Sequence, residues 1–223
     1  MKTVKVGSVG LGRLGYEHAK NLATQVPGCE LAAICDVDAN RVKEVAAELG
    51  VPNTYTDFEE MCKNPELDAI VIVSPSFLHC QQIEIAMNNG KHVFCEKPDA
   101  ISFEERKRMS AAQQKSGKVL MVMRNNRHTA GSLYLKKCVD AGEFGEIYAG
   151  RCGWIRRRGI PGKGGWFTTK AQSGGGPLID LGVHMIDLAI WLMGNPTPVA
   201  VTGSTYCKFA DNDVSDSVNS DFG

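Results

Sequence analysis

Through the first half of the chain, short apolar runs alternate with longer stretches whose apolar positions recur at helical spacing. The runs at 4–9, 31–35, 69–73, 92–95 and 119–123 are nearly continuous in apolar residues. That pattern predicts strands covered on both faces, as in a parallel sheet. Helices are predicted at 14–24, 39–49, 79–89 and 103–114. The second stops at Gly50, closely followed by Pro52, and the third at Asn89-Gly90, both ordinary helix-ending chemistry. Strands alternating with helices through right-handed crossovers predict an α/β fold with a doubly wound parallel sheet.

Beyond Arg124 the pattern changes, so two domains are expected, 1–124 and 125–223. The second reads as a helix at 132–141 ended by Gly142, a weakly alternating strand at 146–155, and a glycine- and arginine-rich loop at 156–176. A strongly apolar helix follows at 178–193, closed by Gly194 and Pro196, then a strand at 199–207 and a polar, acidic tail at 211–223. Such a small set of elements is too little to bury a sheet face by itself. The chain is therefore expected to be part of a longer protein. The stretch 154–166, with Trp154, Arg156 and Trp166, reads equally well as a solvated connection or as a lid over a substrate.

Composition narrows the function classes. A hydrophobic content of 43%, a charged content of 22% and zero formal net charge describe an ordinary globular protein. No basic excess supports a nucleic-acid or membrane partner, and no run is read as the ~20 apolar residues of a membrane span. The N-terminus enters a strand directly without a signal-peptide pattern, so a cytoplasmic protein is expected. Eight cysteines contain no Cys-x-x-Cys pair, which predicts reduced, structural thiols and neither a zinc site nor a disulfide framework.

Chemistry first shows at Gly10-Leu11-Gly12-Arg13-Leu14-Gly15, a G-x-G-x-x-G between a predicted strand and helix. In that context it predicts dinucleotide binding. Gly10 makes the tight turn, Gly12 admits the pyrophosphate, and Gly15 permits close helix–strand packing. The helix start, with Arg13 and Leu14 in it, supplies N–H groups and a partial positive charge. Asp36 closes the second strand where a carboxylate accepts from the adenosine ribose and repels a 2′-phosphate. Arg41 stands a turn further on, so NAD is expected and NADP is less favoured. A helix cap is the competing role for Asp36, and Asp38 fits that role at least as well. Ser74 and Pro75 close the third strand beside the pyrophosphate and nicotinamide, and His79 opens the next helix. The segment His92-Val93-Phe94-Cys95-Glu96-Lys97-Pro98 places Glu96 and Lys97 at another strand end, where ligands of open sheets sit. Pro98 biases Lys97 toward extended backbone and aims its side chain.

In the apolar helix at 178–193, spacings of four and three place Asp180, His184 and Asp187 along one face. Ionisable groups in so apolar an element need partners or functions. His184 with a carboxylate one turn before it reads as an acid–base pair, Gly182 between them leaves room for a ligand, and Asp187 orients His184 or closes an ion pair. The spacing of Asp180 and His184 also suits metal ligation, but no third ligand except Asp187 is near, and no metal is expected.

The motifs VGLGRLG, SPSFLH, GKHVFCEKP and GGGPLIDLGVHMIDLAIWLMG span the chain, and the last two are specific. On them the chain resembles the Gfo/Idh/MocA family of NAD(P)-dependent oxidoreductases, which includes inositol, sugar and polyol dehydrogenases. The resemblance implies an N-terminal Rossmann domain and a C-terminal α/β domain with an open, mostly antiparallel sheet used for homo-oligomerisation as a dimer or tetramer. It implies that Lys97 contacts substrate, Asp180 binds it and His184 is the general acid/base. Together with the motif reading, Gly10, Gly12, Arg13, Leu14, Gly15, Asp36, Arg41, Ser74, Pro75, His79, Glu96 and Lys97 are expected around NAD. The expected reaction is hydride transfer between NAD(P) and a secondary alcohol of a sugar, polyol or inositol. An NAD-dependent lyase or glycosidase acting by transient oxidation and a non-catalytic NAD-binding sensor are the alternatives. Three departures stand out. Ser76 replaces the usual Asn of Thr-Pro-Asn, Arg127-His128 replaces the usual Arg-Phe, and family members continue well beyond this length.

Overall fold

Parallel strands carry the first of two units, Met1–Met123; the second is Arg124–Gly223. The structure is a computed structural model and describes residues 2–155 and 164–206. The strands are β1 (Val4–Val9), β2 (Cys29–Cys35), β3 (Asn53–Tyr55), β4 (Ala69–Ile72), β5 (His92–Cys95) and β6 (Leu120–Val122). Between them run α1 (Arg13–Thr24), α2 (Ala39–Leu49), α3 (Phe58–Lys63), α4 (Ser76–Asn88) and α5 (Phe103–Ser116). The sheet order is β3-β2-β1-β4-β5-β6, all parallel. The order reverses between β1 and β4, which makes their carboxyl ends the crevice where open sheets bind ligands.

Two apolar cores hold this sheet. One gathers Ile70, Ile72, Met61, Ile83, Met87 and Met109 with α3, α4 and α5, and the other gathers Leu11, Leu31, Ile34, Val42 and Val45 with α1 and α2. Each large side chain so buried contributes about 1.5–3 kcal/mol. Cysteines join the packing as small hydrophobes. Burial pushes the Cys35 and Cys62 thiols up to about 12 and Cys80 to about 11, so they stay protonated and inert. Polar side chains start the helices: Asp38 accepts from the N–H groups of Asn40 and Arg41, Asp57 from Glu59 and Glu60, and Ser102 from Glu105. Asp38, rather than Asp36, is thus the α2 cap.

The sequence pattern gives no warning of β3 and α3. β3 is a three-residue edge strand without an apolar run, held by its register against β2 and by Asn53 Nδ2 donating to the Ala32 carbonyl at 2.9 Å.

The second unit contains α6 (Ala130–Asp140), the single turn α7 (Lys170–Ser173) and α8 (Val183–Leu192). The strands expected at 146–155 and 199–207 do not form among the described residues, and neither does the antiparallel sheet they were to join. A strand exists only through its ladder partners, and neither segment has one there; Tyr148 is 91% and Val199 98% exposed. Residues 156–163 of the expected loop, and 207–223 with Cys207 and the acidic tail, lie outside the described residues.

The apolar helix also differs from expectation. Lys170–Leu192 is long and apolar enough to cross a membrane by length and composition, with mean hydropathy 1.3, contrary to the reading that no such run exists. It is broken, however, by Gly174 in the left-handed region at φ 79°. It then widens at Leu178–Gly182 into an i→i+5 turn in which the Val183 N–H donates to the Leu178 carbonyl.

Candidate functional site

At the β1 carboxyl end the three glycines differ in what surrounds them. Gly10 has φ 86°, and a Cβ there would lie 2.8 Å from the backbone of Val73 and Ser74. A Cβ on Gly15 would lie 1.8 Å from the Gly10 carbonyl oxygen. Protein packing therefore demands both. Gly12 is different: its chain neighbours aside, no atom of the described residues lies within 4 Å of its Cβ position, and no side chain caps the start of α1. The open side of Gly12 and the uncapped helix start form a cradle that an anion fits, with N–H groups and the helix dipole directed at it. Arg13 and Leu14 are exposed on the first turn beside it.

Asp36 and Arg41 meet at Leu11. The Leu11 N–H donates to Asp36 Oδ2 at 2.6 Å, and the Asp38 N–H donates to Oδ1 at 3.0 Å. Arg41 Nε donates to the Leu11 carbonyl at 2.9 Å, and its guanidinium lies 5.2 Å from the Tyr16 ring centroid. A carboxylate has about four acceptor positions, so Asp36 can brace the turn and still take a hydroxyl.

The ends of β4 and β5 carry the other expected cofactor residues. Ser74 and Pro75 are half-buried and lead into α4, where Ser74 Oγ bonds Gln82. His79 is buried, with Nδ1 at 2.7 Å from the Pro98 carbonyl and Nε2 at 2.7 Å from the Ser74 carbonyl. Both ring nitrogens are engaged by the protein, so His79 is held within the wall of the crevice. Glu96 is only 7% exposed. It accepts from His18 Nε2 at 2.9 Å and from the Lys97 N–H at 3.0 Å. Because an ionised carboxylate only accepts, His18 donates to it through Nε2. Burial alone would raise the Glu96 carboxyl, but these hydrogen bonds and the nearby charges of His18 and Lys97 hold it below its ordinary value. Glu96 thus braces the Lys97 corner from within. His18 was missed in the sequence, although it adjoins the buried stripe of Gly15 and Ala19 on α1, which is a readable signal. The Lys97–Pro98 peptide is cis, and Lys97 is half-buried.

Lys97 belongs to the first unit, Asp180 and His184 to the second. Asp180 lies in the widened turn, whose extra residue breaks the i, i+4 spacing to His184 that a regular α-helix would give. A Cβ on Gly182 would lie 2.8 Å from Leu178 Cδ1, so that glycine accommodates a neighbouring side chain and not the expected ligand space. The His184 ring lies 6.0 Å from the Trp154 ring, tilted by 36°. Asp187 closes ion pairs with arginines: Arg127 Nε donates to Oδ2 at 2.7 Å and Nη2 to Oδ1 at 2.6 Å, with Arg124 Nε 3.2 Å from Oδ1. The two-pronged Arg127 contact is the strong form of such a pair. Among the described residues no three His, Cys, Asp or Glu side chains are grouped to hold a metal.

Comparison with known proteins gives the family. Residues 4–124 match a family model described as oxidoreductase family, NAD-binding Rossmann fold, and residues 132–222 match the GFO/IDH/MocA C-terminal domain. The scyllo-inositol 2-dehydrogenase (NAD(+)) of Bacillus subtilis is 38% identical over 86% of this chain and 54% of its own length. The D-glucoside 3-dehydrogenase of Escherichia coli is 33% identical over 92% of this chain and 58% of its own. The scyllo-inositol dehydrogenase of Lactobacillus casei, solved with NAD(H) and scyllo-inositol, superposes with a TM-score of 0.75 at 36% identity, over 86% of this chain and 57% of that one. The chain thus spans little more than half the length of these relatives. With both halves matched by models of one family and relatives above 30% identity along most of its length, the chain belongs to the Gfo/Idh/MocA oxidoreductases.

Proposed function

We propose that this protein is an NAD-dependent dehydrogenase acting on a secondary alcohol of a sugar, polyol or inositol. The observation that carries the reading is the cradle at Gly12, open on its ligand side and braced below by Asp36 and Arg41. The named activities of the inositol and glucoside dehydrogenases it resembles support the substrate class.

In this reading the Gly12 turn and the start of α1 hold the pyrophosphate of NAD, and Asp36 takes the ribose hydroxyls. When bound, NAD supplies the acceptor for the hydride. His184 takes the proton of the substrate hydroxyl on a ring nitrogen, a task suited to an imidazole. Lys97 Nζ offsets the charge that develops on the alkoxide. Asp180 accepts hydrogen bonds from neighbouring hydroxyls and fixes the ring. Work in the cytoplasm and assembly into a homo-oligomer belong to the same proposal. Assembly is supported by apolar side chains such as Leu133 and Ile186, which the second unit leaves 50% and 45% exposed.

A panel of inositols, aldoses, glucosides and open-chain polyols, tested with NAD and NADP by the absorbance of the reduced cofactor, reads the activity directly. Lys97→Ala and His184→Ala are each expected to lower turnover by ~10²-fold or more, the scale of acid–base catalysis. Near-normal turnover in both variants would overturn the assignment.

A further inference from the structure

His79 stands in the first turn of α4 and is 1% exposed. Its ring bridges two loops: Nε2 lies 2.7 Å from the Ser74 carbonyl after β4, and Nδ1 lies 2.7 Å from the Pro98 carbonyl after β5. Both partners can only accept. A neutral imidazole has a single N–H, so it can satisfy one carbonyl while its bare nitrogen meets the lone pairs of the other. Only the imidazolium, with two N–H donors, makes both contacts hydrogen bonds.

The surroundings oppose each other on this point. The loop after β5 carries Glu96 and Asp99, whose negative charges favour the proton on His79, as do the two carbonyls. Burial works the other way, is the larger influence, and moves the ring below its ordinary histidine value. Glu96 is itself bonded to His18 and to the Lys97 N–H, and Asp99 lies 3.7 Å from Arg106. The loop after β4 brings no titratable side chain up to the start of α4. On α4 itself Glu84 is turned to Arg108 of α5.

We propose that His79 is a positioning residue of the cofactor crevice, a proton-dependent clamp between the loop that bears Ser74 and Pro75 and the loop that bears Lys97. Protonated, it fixes both loop carbonyls and so holds the two loops at one spacing. Neutral, it keeps one carbonyl and releases the other. The clamp rests on the reading of this crevice as the NAD site, because its purpose is to set the distance between two walls that NAD must fit. Reciprocity then requires that NADH bind more tightly to the protonated form and that bound NADH raise the pH at which His79 loses its proton.

The test is the titration of His79 by long-range proton–nitrogen NMR, in the free protein and saturated with NADH, between pH 5 and 8. NADH affinity is measured in parallel for wild type and His79→Gln. The expected result is a ring with both nitrogens protonated at the acid end, with a midpoint that moves to higher pH when NADH binds. Wild-type affinity should strengthen on acidification relative to His79→Gln by about 3- to 10-fold, the scale of one hydrogen bond. A ring that stays neutral throughout, or a midpoint that NADH leaves unmoved, overturns the clamp. Failure of the wild type to bind NADH at any pH would instead overturn the NAD reading. The wild-type titration stands even if His79→Gln does not fold.

Discussion

The first unit buries its apolar residues on both faces of a sheet, whereas the second leaves many of its own on the outside of helices. Ile34, Ile70, Ile72 and Ile83 are wholly buried in the first unit, while Ile186 and Ile190 of α8 are 45% and 40% exposed. No residue of α8 is buried. What orders the second unit is more local. A two-pronged arginine contact holds Asp187, while Leu135, Val139, Phe144, Met185, Leu188 and Leu192 leave an unfilled cavity of about 390 Å³ between them. The contrast teaches that the two units rest on different foundations. The glycine turn after β1 stands on packing that leaves no slack at Gly10 and Gly15, and the helix that carries His184 stands on a few polar contacts.

Three changes probe that contrast, beginning with the largest effect. Gly15→Ala would place a methyl group 1.8 Å from the Gly10 carbonyl oxygen, which the closed first unit cannot absorb. A loss of more than about 3 kcal/mol is expected, at or beyond the upper end for overpacking, read as a collapse of the urea transition followed by circular dichroism. A variant with wild-type stability would show that the turn is looser than described. Asp187→Ala should cost about 2 kcal/mol, because it strips the hydrogen-bonded charge partner from Arg124 and Arg127. All three tryptophans, Trp154, Trp166 and Trp191, lie in the second unit. Their fluorescence should therefore melt earlier in this variant while the first unit's transition stays in place. A simultaneous shift of both would break the contrast.

The smallest effect is acid sensitivity at Glu96. Its folded-state carboxyl is held below the ordinary value, so its stabilisation is complete above the unfolded value of about 4.3 and is lost as pH falls through the folded value. Glu96→Gln should flatten the stability profile in that acid range, lowering stability near neutrality and converging with wild type at the acid end. An acid profile identical to wild type would remove Glu96 from the brace.

Legibility in the sequence follows the same division. β1, β5 and α2 lie where their apolar runs and stops predict them, because burial on a sheet writes itself into local composition. β3 is not legible, since a three-residue edge strand owes its existence to β2. The segments at 146–155 and 199–207 carry strand-like composition, yet composition does not supply a ladder partner. In the candidate site, the glycine turn, Asp36 and the Lys97 corner could be read from spacing. The polar partners could not: the bond of His18 to Glu96 in the first unit and the grip of Arg127 on Asp187 in the second join residues 78 and 60 positions apart. The widened turn at Asp180 was likewise hidden, because i, i+4 spacing assumes the regular helix that the chain there abandons.

The central claim is that Gly12 is a glycine for the sake of a ligand, while Gly15 is one for the sake of the fold. Titration of NADH into Gly12→Ala, beside its urea transition, tests this most directly. The account predicts wild-type stability to within about 1 kcal/mol, the scale of a changed helix cap, with NADH affinity weakened about tenfold or more. Unweakened NADH binding by a folded Gly12→Ala protein would contradict it.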